Sequence, residues 1–167
     1  SWLIQDQPVG YFFIIKKGIK ENKLVIILGD CTGHGIKSSM DASLIKSKCE
    51  NHLSILFESS RTDVFLDKIN QEFMGYTEDG QFPTMFASVI DFDLKCIYFS
   101  NANSERPYLI NKGKIRKFEK TIGMHIGYSL NTEFEQRRID LRPDDIILFY
   151  SDAIIEANES KNLSRGY

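Results

Sequence analysis

Short apolar segments separated by polar turns recur along the chain, and their lengths and residue types predict β-strands. Two of them, residues 9–16 and 23–28, are joined by a polar turn and predict a hairpin. Beyond Gly80 such segments follow one another closely, which predicts a run of antiparallel strands. These later strands are predicted at residues 85–91, 96–101, 108–110, 114–118, 134–141 and 145–150. The last of them is apolar enough to predict burial on both of its faces.

Helical spacing of apolar residues replaces the strand pattern between the second and third predicted strands. Residues 36–50 carry Met40, Leu44 and Ile45 at that spacing, which predicts one helix. Residues 62–74 predict a second helix in the same way. The members of its expected apolar face are Val64, Phe65, Ile69 and Phe73. The side chains available to cap its first turn are Ser59, Ser60 and Asp63. Strands on either side of two adjacent helices predict one α+β unit.

Composition and charge narrow the class of protein. The chain has 167 residues, of which 42% are hydrophobic and 26% charged, so it is typical of one folded domain and not of a disordered chain. Its formal net charge is −2, and no broad basic surface is expected for nucleic acid or an anionic membrane. Every apolar segment is far shorter than the roughly 20 residues that span a bilayer.

The cysteines and the first residues bear on the cellular setting. Cys31, Cys49 and Cys96 are odd in number and are not spaced like zinc ligands, which favours a reducing cytoplasm. The chain begins abruptly at Ser1 with no signal segment. We therefore expect residues 1–167 to form a single domain taken from a longer protein.

The first candidate for chemistry is the segment after the second predicted strand, residues 29–35 with the sequence GDCTGHG. It places Asp30 at the end of a strand among closely spaced glycines, so that a carboxylate and accessible backbone meet at one point. Hard divalent cations prefer such oxygen ligands. The alternative is that Asp30 caps the following helix and binds no metal.

A second carboxylate, Asp152, follows the apolar segment 146–150. If the two strands are neighbours, Asp30 and Asp152 lie close together and predict a metal site. Taken alone, Asp152 is better explained as a turn or capping residue, so this hypothesis depends on the pair.

Other features of residues 29–35 limit what the segment can do. It lacks the Lys-Ser/Thr ending of a phosphate-binding loop and the spacing of a dinucleotide-binding loop, which argues against a nucleotide site. His34 has two interpretations, a general acid and a solvated residue of the first helical turn. Cys31 lacks the histidine and asparagine framework of a thiolate site, so we expect it to contribute a backbone carbonyl or to fill space.

The GDCTGHG segment resembles a motif of the bacterial metal-dependent Ser/Thr phosphatases of the SpoIIE/RsbU type, in the protein phosphatase 2C (PPM) superfamily. Further blocks that resemble this family occur in its order and cover nearly the whole chain. They are residues 82–91 with FPTMF and VID, residues 101–109 with NAN and PYL, residues 123–127 with GMHIG, and residues 141–157 with LRPDDIILFYSDAIIEA. On these blocks the chain is identified as a member of the family.

The resemblance implies an αββα four-layer sandwich of two antiparallel sheets flanked by helices, with the C-terminal end of the domain missing. It also implies hydrolysis of phosphoserine or phosphothreonine by a metal-activated water at a centre of two Mn²⁺ or Mg²⁺ ions. Asp30 would bridge the two ions, the carbonyl of Cys31 would bind one of them, and Asp152 would hold the other. Asp30 and Asp152 are therefore the expected catalytic residues.

A signalling role follows from the same resemblance. The expected substrate is a phosphorylated regulatory protein similar to an anti-sigma-factor antagonist of the STAS type. A sensor or receiver domain is expected in the same chain, a homodimer is compatible with this role, and no nucleic-acid partner is expected. The expected location is the cytoplasm, including the case of a cytoplasmic output domain of a membrane-bound sensor.

Some residues depart from the family's pattern. Tyr11 stands where the first strand of the family carries a metal-binding aspartate, and Ala153 stands where glycine is usual. Asn103 with Ser104 replaces a Gly-His pair. A late pair of aspartates that supplies a further ligand would lie after Tyr167. Fewer negative ligands predict weaker binding of at least one ion. The alternative function is therefore a degenerate, non-catalytic module that binds a regulatory partner.

Overall fold

The structure is a computed structural model that describes residues 10–31, 36–76 and 82–151. These residues form two compact units, the first within Ser1–Ser104 and Lys120–Arg142, and the second within Glu105–Glu119 and Pro143–Tyr167. None of the helices in the described ranges has the length and apolar character that a membrane span requires.

Eight strands and three helices make up the described residues. In chain order they are β1 (Tyr11–Lys17), β2 (Lys23–Asp30), α1 (Ile36–Asn51), α2 (Leu53–Ser59), α3 (Thr62–Phe73), β3 (Thr84–Asp91), β4 (Cys96–Ala102), β5 (Tyr108–Asn111), β6 (Lys114–Lys117), β7 (Arg137–Asp140) and β8 (Ile146–Leu148). The predicted hairpin and the later run of antiparallel strands are confirmed. The seventh and eighth strands are shorter than the sequence pattern predicts.

The first unit is built on a five-stranded antiparallel sheet in the order β1-β2-β3-β4-β7. Alternate residues of its strands face the three helices and form the core with them, because side chains alternate between the two faces of a strand. The strand residues of this core include Phe12, Ile14, Val25, Ile27, Met85, Ala87 and Val89, and the helix residues include Ile45, Leu56, Phe65, Leu66 and Ile69. The helices therefore cover one face of the sheet.

The buried faces of the helices differ in part from those predicted. Ile45 is fully buried on α1, but Met40 is 66% exposed, and the buried face is instead formed by smaller residues. These are Ser38, Ala42 and Cys49, which share the buried face with Ile45. On α3, Phe65, Ile69 and Phe73 are buried as predicted, whereas Val64 is 41% exposed. The apolar spacing identified both helices, but it did not distinguish small buried residues from large exposed ones.

The segment between the two predicted helices contains a further short helix, α2, that the sequence pattern did not indicate. It ends where Ser60 adopts a left-handed conformation, with φ of 54°. At the start of α3 the side chain of the N-cap residue Arg61 makes no capping bond, but Ser59, one of the predicted capping residues, accepts from the Arg61 backbone N–H at 3.3 Å. The backbone N–H of Thr62 instead donates to Gln136 Oε1 at 2.8 Å. This end of α3 is stabilised by a residue distant in sequence.

On β1 and β2, the sheet face turned away from the helices is much more open than the face that they cover. Phe13 is 50% exposed and Ile15 57% exposed, whereas their neighbours Phe12 and Ile14 are buried. The same outer face is buried further along the sheet, where the rings of Phe86 and Phe99 stack at 5.7 Å. The outer face is therefore most open at the β1 edge.

The second unit contains a three-stranded sheet in the order β6-β5-β8. Lys117 bonds Glu105 at 2.9 Å, and the hydroxyl of Tyr150 donates to the same carboxylate at 2.8 Å. The prediction that the last strand is buried on both faces is wrong, because Ile146 and Leu148 are 61% and 47% exposed. Among the residues that the structure describes, β8 pairs with β5 only.

Candidate functional site

Asp30 is the last residue of β2. Tyr11 of β1 lies directly opposite it on one side, and Thr84 of β3 lies directly opposite it on the other. Residues paired in this way project from the same face of a sheet, with Cβ atoms about 4.5–5.5 Å apart. Tyr11, Asp30 and Thr84 therefore form a row across the end of the sheet, which we call the end row. The phenol of Tyr11 thus occupies a place beside Asp30.

The glycine before Asp30 has a packing role. Gly29 faces the helices, and a Cβ atom at this position would collide with the ring of Phe12. Phe12 lies directly opposite Gly29 on β1 and is buried in the helix-facing core. The glycine therefore leaves room for the Phe12 ring at the end of the sheet, next to the residue that carries the carboxylate.

Cys31 follows Asp30 and is held against the start of β1. Its backbone N–H donates to the carbonyl of Gly10 at 3.0 Å, and a Cβ atom on Gly10 would collide with the carbonyl oxygen of Cys31. Burial first, and then the carboxylates of Asp41 and Asp30, raise the pKa of the Cys31 thiol to about 12. A thiol that stays protonated is a poor nucleophile, which agrees with the expectation that Cys31 contributes its backbone.

The other residues predicted for the site have different outcomes. Asp30 does not cap α1, because Cys31 after it is not helical, and an N-cap directly precedes the first helical residue. Asp152, His34 and Ala153 lie outside the described residues, so their predicted roles remain predictions. Asp30 therefore lies at the end of a strand and is not the N-cap of α1, and its role as a metal ligand remains a prediction.

The turn after β4 lies beside the first residues of β3, where Asn103 bridges to Met85. The side chain of Asn101 closes this turn, since its Nδ2 donates to the Ser104 carbonyl at 2.8 Å and its Oδ1 accepts from the Ser104 N–H at 2.7 Å. Asn103 has a φ of 56°, a left-handed conformation that asparagine adopts more readily than most residues. Asparagine can therefore stand where the family pattern has glycine.

Residues 121–130, which we call the end loop, cross this end of the sheet. Asn70 on α3 is fully buried and holds the loop with both ends of its amide group. Its Nδ2 donates to the carbonyl of Ser129 at 2.9 Å, and its Oδ1 accepts from the backbone N–H of Gly127 at 2.8 Å. The helix layer thus fixes the backbone of the loop.

The end loop is also fixed to the strands. The backbone N–H of Ile126 donates to the carbonyl of Pro83, immediately before β3, at 2.9 Å. Gly123 packs so closely on the carbonyl of Asn101 that a Cβ atom there would collide with it. The loop therefore lies against the start of β3 and the end of β4.

Sequence reasoning did not find two polar residues at this end of the sheet. His125 of the end loop has its Nε2 2.9 Å from Nδ2 of Asn103. Asn70 holds the loop but lies on an apolar helix face, and a buried amide among apolar neighbours was the available signal for it. His125 offered no such signal, because its partner is distant in sequence and lies in a turn.

The donor set at the end row suits a hard divalent cation. The carboxylate of Asp30 and the backbone carbonyl of Cys31 are adjacent oxygen donors of the kind that Mg²⁺ and Mn²⁺ prefer. The phenol of Tyr11 is ordinarily neutral and adds no negative charge. Across residues 10–31, 36–76 and 82–151, no three His, Cys, Asp or Glu side chains converge as a metal site. Asp30 and Cys31 therefore account for part of a ligand set at most.

A family model matches most of the chain, which agrees with the motifs found in the sequence. Residues 20–166 match the family model of Stage II sporulation protein E (SpoIIE). The chain belongs to the SpoIIE family. The matched residues of this SpoIIE-family chain include Asp30, Thr84 and the end loop, whereas Tyr11 lies before them.

Solved structures similar to this SpoIIE-family chain share its fold. The RsbU and RsbW domains of a Mycobacterium tuberculosis protein match with a TM-score of 0.75 and 23% identity, covering 86% of this chain and 39% of that one. The PP2C phosphatase domain of SpoIIE from Bacillus subtilis, solved with a fragment of its regulatory domain, matches with a TM-score of 0.75 and 19% identity, covering 89% and 41%. RsbX in complex with magnesium matches with a TM-score of 0.61 and 17% identity, covering 82% and 63%.

These similarities confirm the predicted fold class, two antiparallel sheets with helices as in the PP2C phosphatase domains. The chain spans about two fifths of the length of the first two solved chains, at 39% and 41%. No curated protein sequence matches this SpoIIE-family chain.

Proposed function

We propose that this chain is a metal-dependent protein phosphatase domain that hydrolyses phosphoserine or phosphothreonine on a regulatory protein. The observation that carries this proposal is the place of Asp30, at the end of a strand and flanked by two further strands, within residues that match the SpoIIE family. Strand ends are a common place for ligands of catalytic metals, because the side chains there are held by a rigid sheet and still reach solvent.

The roles of individual residues follow from their chemistry. Asp30 would bridge two Mn²⁺ or Mg²⁺ ions, the Cys31 carbonyl would bind one of them, and Asp152 would hold the other. Such ions supply Lewis acidity and neutralise the negative charge of the phosphoryl group. The chain itself fixes the Cys31 carbonyl through the Gly10 contact and fixes Asp30 through pairing on both sides. The magnesium reported with RsbX supports the choice of ion.

The partner and the setting belong to the same proposal. The substrate is a phosphorylated regulatory protein similar to an anti-sigma-factor antagonist, and a sensor or receiver domain belongs to the same signalling protein in the cytoplasm. The similarity to RsbU and RsbW domains and to a stressosome structure supports this class of partner. A homodimer is compatible with this role.

A second candidate function is a phosphatase-fold module that binds a regulatory partner without catalysis. Tyr11 favours it, because a phenol lies directly opposite Asp30 where the family pattern has an aspartate. One fewer negative charge beside two dications weakens their binding. The two candidate functions therefore differ in whether the remaining ligands retain both ions.

Activity assays of the full-length protein test the first candidate. Hydrolysis of p-nitrophenyl phosphate should rise with Mn²⁺, and Asp30→Asn and Asp152→Asn should each lower kcat/KM about 100-fold or more. Asp140→Asn is the matched control. Asp140 is 80% exposed and pairs with Cys96 at the opposite end of the sheet, so this change should leave activity unaltered.

Two results would oppose the proposal in different ways. Hydrolysis that ignores both Mn²⁺ and the two substitutions would exclude the metal mechanism. Absence of hydrolysis with Mn²⁺, together with tight binding of a phosphorylated regulatory protein, would favour the binding module.

A further inference from the structure

His125 lies beside the Asp30 centre and outside the ligands proposed for it. Asp30 is on β2, and Asn103, the partner of His125, follows β4, so two strand spacings separate them. Neighbouring strands lie about 4.8 Å apart, which places Asn103 about 10 Å from Asp30. His125, which contacts the side chain of Asn103, therefore lies at the same end of the sheet as Asp30 and near a substrate bound there.

The bond to Asn103 determines what the imidazole of His125 offers. With the amide nitrogen of Asn103 as the donor, Nε2 of His125 accepts, and Nδ1 is then the ring nitrogen that carries the proton. Among the residues that the structure describes, none bonds Nδ1. His125 is partly exposed and therefore offers one N–H donor to a molecule at this end of the sheet.

Four apolar or aromatic residues of the end loop, on either side of His125 in the sequence, are exposed. Met124 is 45% exposed and Tyr128 is 52% exposed, while Ile122 and Leu130 are 64% and 62% exposed. The backbone that carries them is held by Asn70 from the helix layer. A loop that is fixed before binding loses little conformational entropy when a partner docks. A polar donor among apolar side chains suits a peptide segment, whose carbonyl oxygens accept hydrogen bonds.

We infer that the end loop binds the peptide that flanks the phosphorylated residue of the substrate protein, with His125 Nδ1 donating to a main-chain carbonyl and Met124 and Tyr128 contacting apolar side chains. This inference rests on the proposed phosphatase function, and it makes His125 a specificity-determining residue. The peptide on one side of the phosphoserine then lies along the end loop, while the phosphate lies at the end row.

Two fluorescent phosphoserine peptides test the inference on the full-length protein, one with leucine on both sides of the phosphoserine and one with aspartate. The leucine peptide should bind more tightly. His125→Leu should weaken binding of the leucine peptide about tenfold, which corresponds to the loss of one hydrogen bond. His125→Asn keeps an N–H donor near the position of Nδ1 and should therefore retain most of the affinity. The matched control is His52→Leu, because His52 bonds Glu72 at 2.8 Å within the helix layer and should not affect peptide binding.

Kinetics give a second readout that a structural defect would not produce. In His125→Leu, the ratio of kcat/KM for the leucine peptide to kcat/KM for p-nitrophenyl phosphate should fall about tenfold, mainly through KM of the peptide. Equal losses on both substrates would assign His125 to the chemistry or to folding and would overturn the inference. Unchanged peptide binding in His125→Leu, or failure of the wild-type protein to prefer the leucine peptide, would also overturn it.

The peptide-binding measurement tests this inference separately from the proposed phosphatase activity. If the wild-type protein hydrolyses neither substrate, the phosphatase function fails. A tenfold loss of peptide affinity in His125→Leu would still support the end loop as a binding surface for a phosphorylated segment.

Discussion

The two faces of the five-stranded sheet, compared on β1 and β2, serve different purposes. Ile27 on β2 faces the helices and is fully buried. Ile15 on β1 follows Ile14, the direct partner of Ile27, so it faces the other way, and it is 57% exposed. The end row, with Asp30, belongs to the outer face. The helix-facing side therefore supplies most of the packing, and the outer face carries the candidate metal ligand Asp30 at its end.

This division explains why the sheet tolerates a changed residue at the candidate site. Tyr11, which stands where the family resemblance places an aspartate, lies in the end row and not in the helix-facing core, so a change of ligand charge here would open no cavity in that core. Stability and metal binding can vary separately when they depend on opposite faces of one sheet. Substitutions on each face should therefore affect stability and metal binding to different extents.

The largest effect is expected from shortening a residue on the helix-facing side. Ile27→Ala should lower the free energy of unfolding by about 2–5 kcal/mol, because it removes buried methyl groups and leaves a cavity. Ile15→Ala on the outer face should cost less than about 1 kcal/mol. Urea denaturation of both variants checks the comparison, and equal losses would show that the two faces contribute alike.

A somewhat smaller effect is expected at Gly29, at the end of the helix-facing side. Gly29→Ala should lower the free energy of unfolding by about 1–3 kcal/mol, because the added methyl group collides with the ring of Phe12. Combining it with Phe12→Leu, which removes the ring, should recover part of the loss. Thermal unfolding of the single and double variants measures this coupling, and purely additive losses would contradict the contact.

Adding a charge to the end row should change metal affinity more than stability. Tyr11→Asp places a second carboxylate directly opposite Asp30, and we expect Mn²⁺ to bind about tenfold more tightly, because ligand charge sets the affinity of such sites. Without metal, two like charges in this position should cost about 0.2–1 kcal/mol. Calorimetric titration with Mn²⁺ and denaturation in EDTA measure the two effects, and unchanged affinity would remove the argument that Tyr11 weakens the centre.

The smallest effect is expected at the base of the end loop and depends on pH. The Ile122 backbone N–H and then the Arg137 guanidinium hold the pKa of Glu135 below its usual range. Glu135 therefore stabilises the loop at neutral pH, and this contribution is lost as the pH falls through the lowered pKa. Hydrogen exchange should show reduced protection of the Ile122 amide in acid. Equal protection factors at neutral and acid pH would contradict the prediction, and Glu135→Gln should remove any pH dependence.

Much of the fold was predictable because it depends on local pattern. The alternation of apolar and polar residues identified both strands of the first hairpin, although β2 runs to Asp30, two residues beyond the predicted range 23–28. Resemblance of several motifs in order then gave the family, which the match over residues 20–166 confirms. Asp30 was predictable as a candidate ligand for the same reason, since its neighbours in sequence carry the signal.

The rest could not be predicted because it depends on contacts between distant residues. The end of α3 is stabilised by Gln136, which lies 74 residues from Thr62 and has no local signature of a cap. The bond between Asn103 and His125 spans 22 residues and joins two turns whose conformations are not set by their own residues alone. Exposure of Met40 depends on which side of α1 meets the sheet, and apolar spacing alone does not fix that side.

The pairing of β2 with β3 has a consequence for the order in which the molecule folds. Asp30 and Thr84 are direct partners although three helices lie between their strands in the sequence. Closing so long a loop is entropically unfavourable and slows the formation of such contacts relative to local ones. The β1–β2 hairpin and the helices can form early, but the end row is complete only when β3 docks on β2. We therefore expect metal affinity to appear late during refolding, so that a nascent or partly folded chain binds little metal.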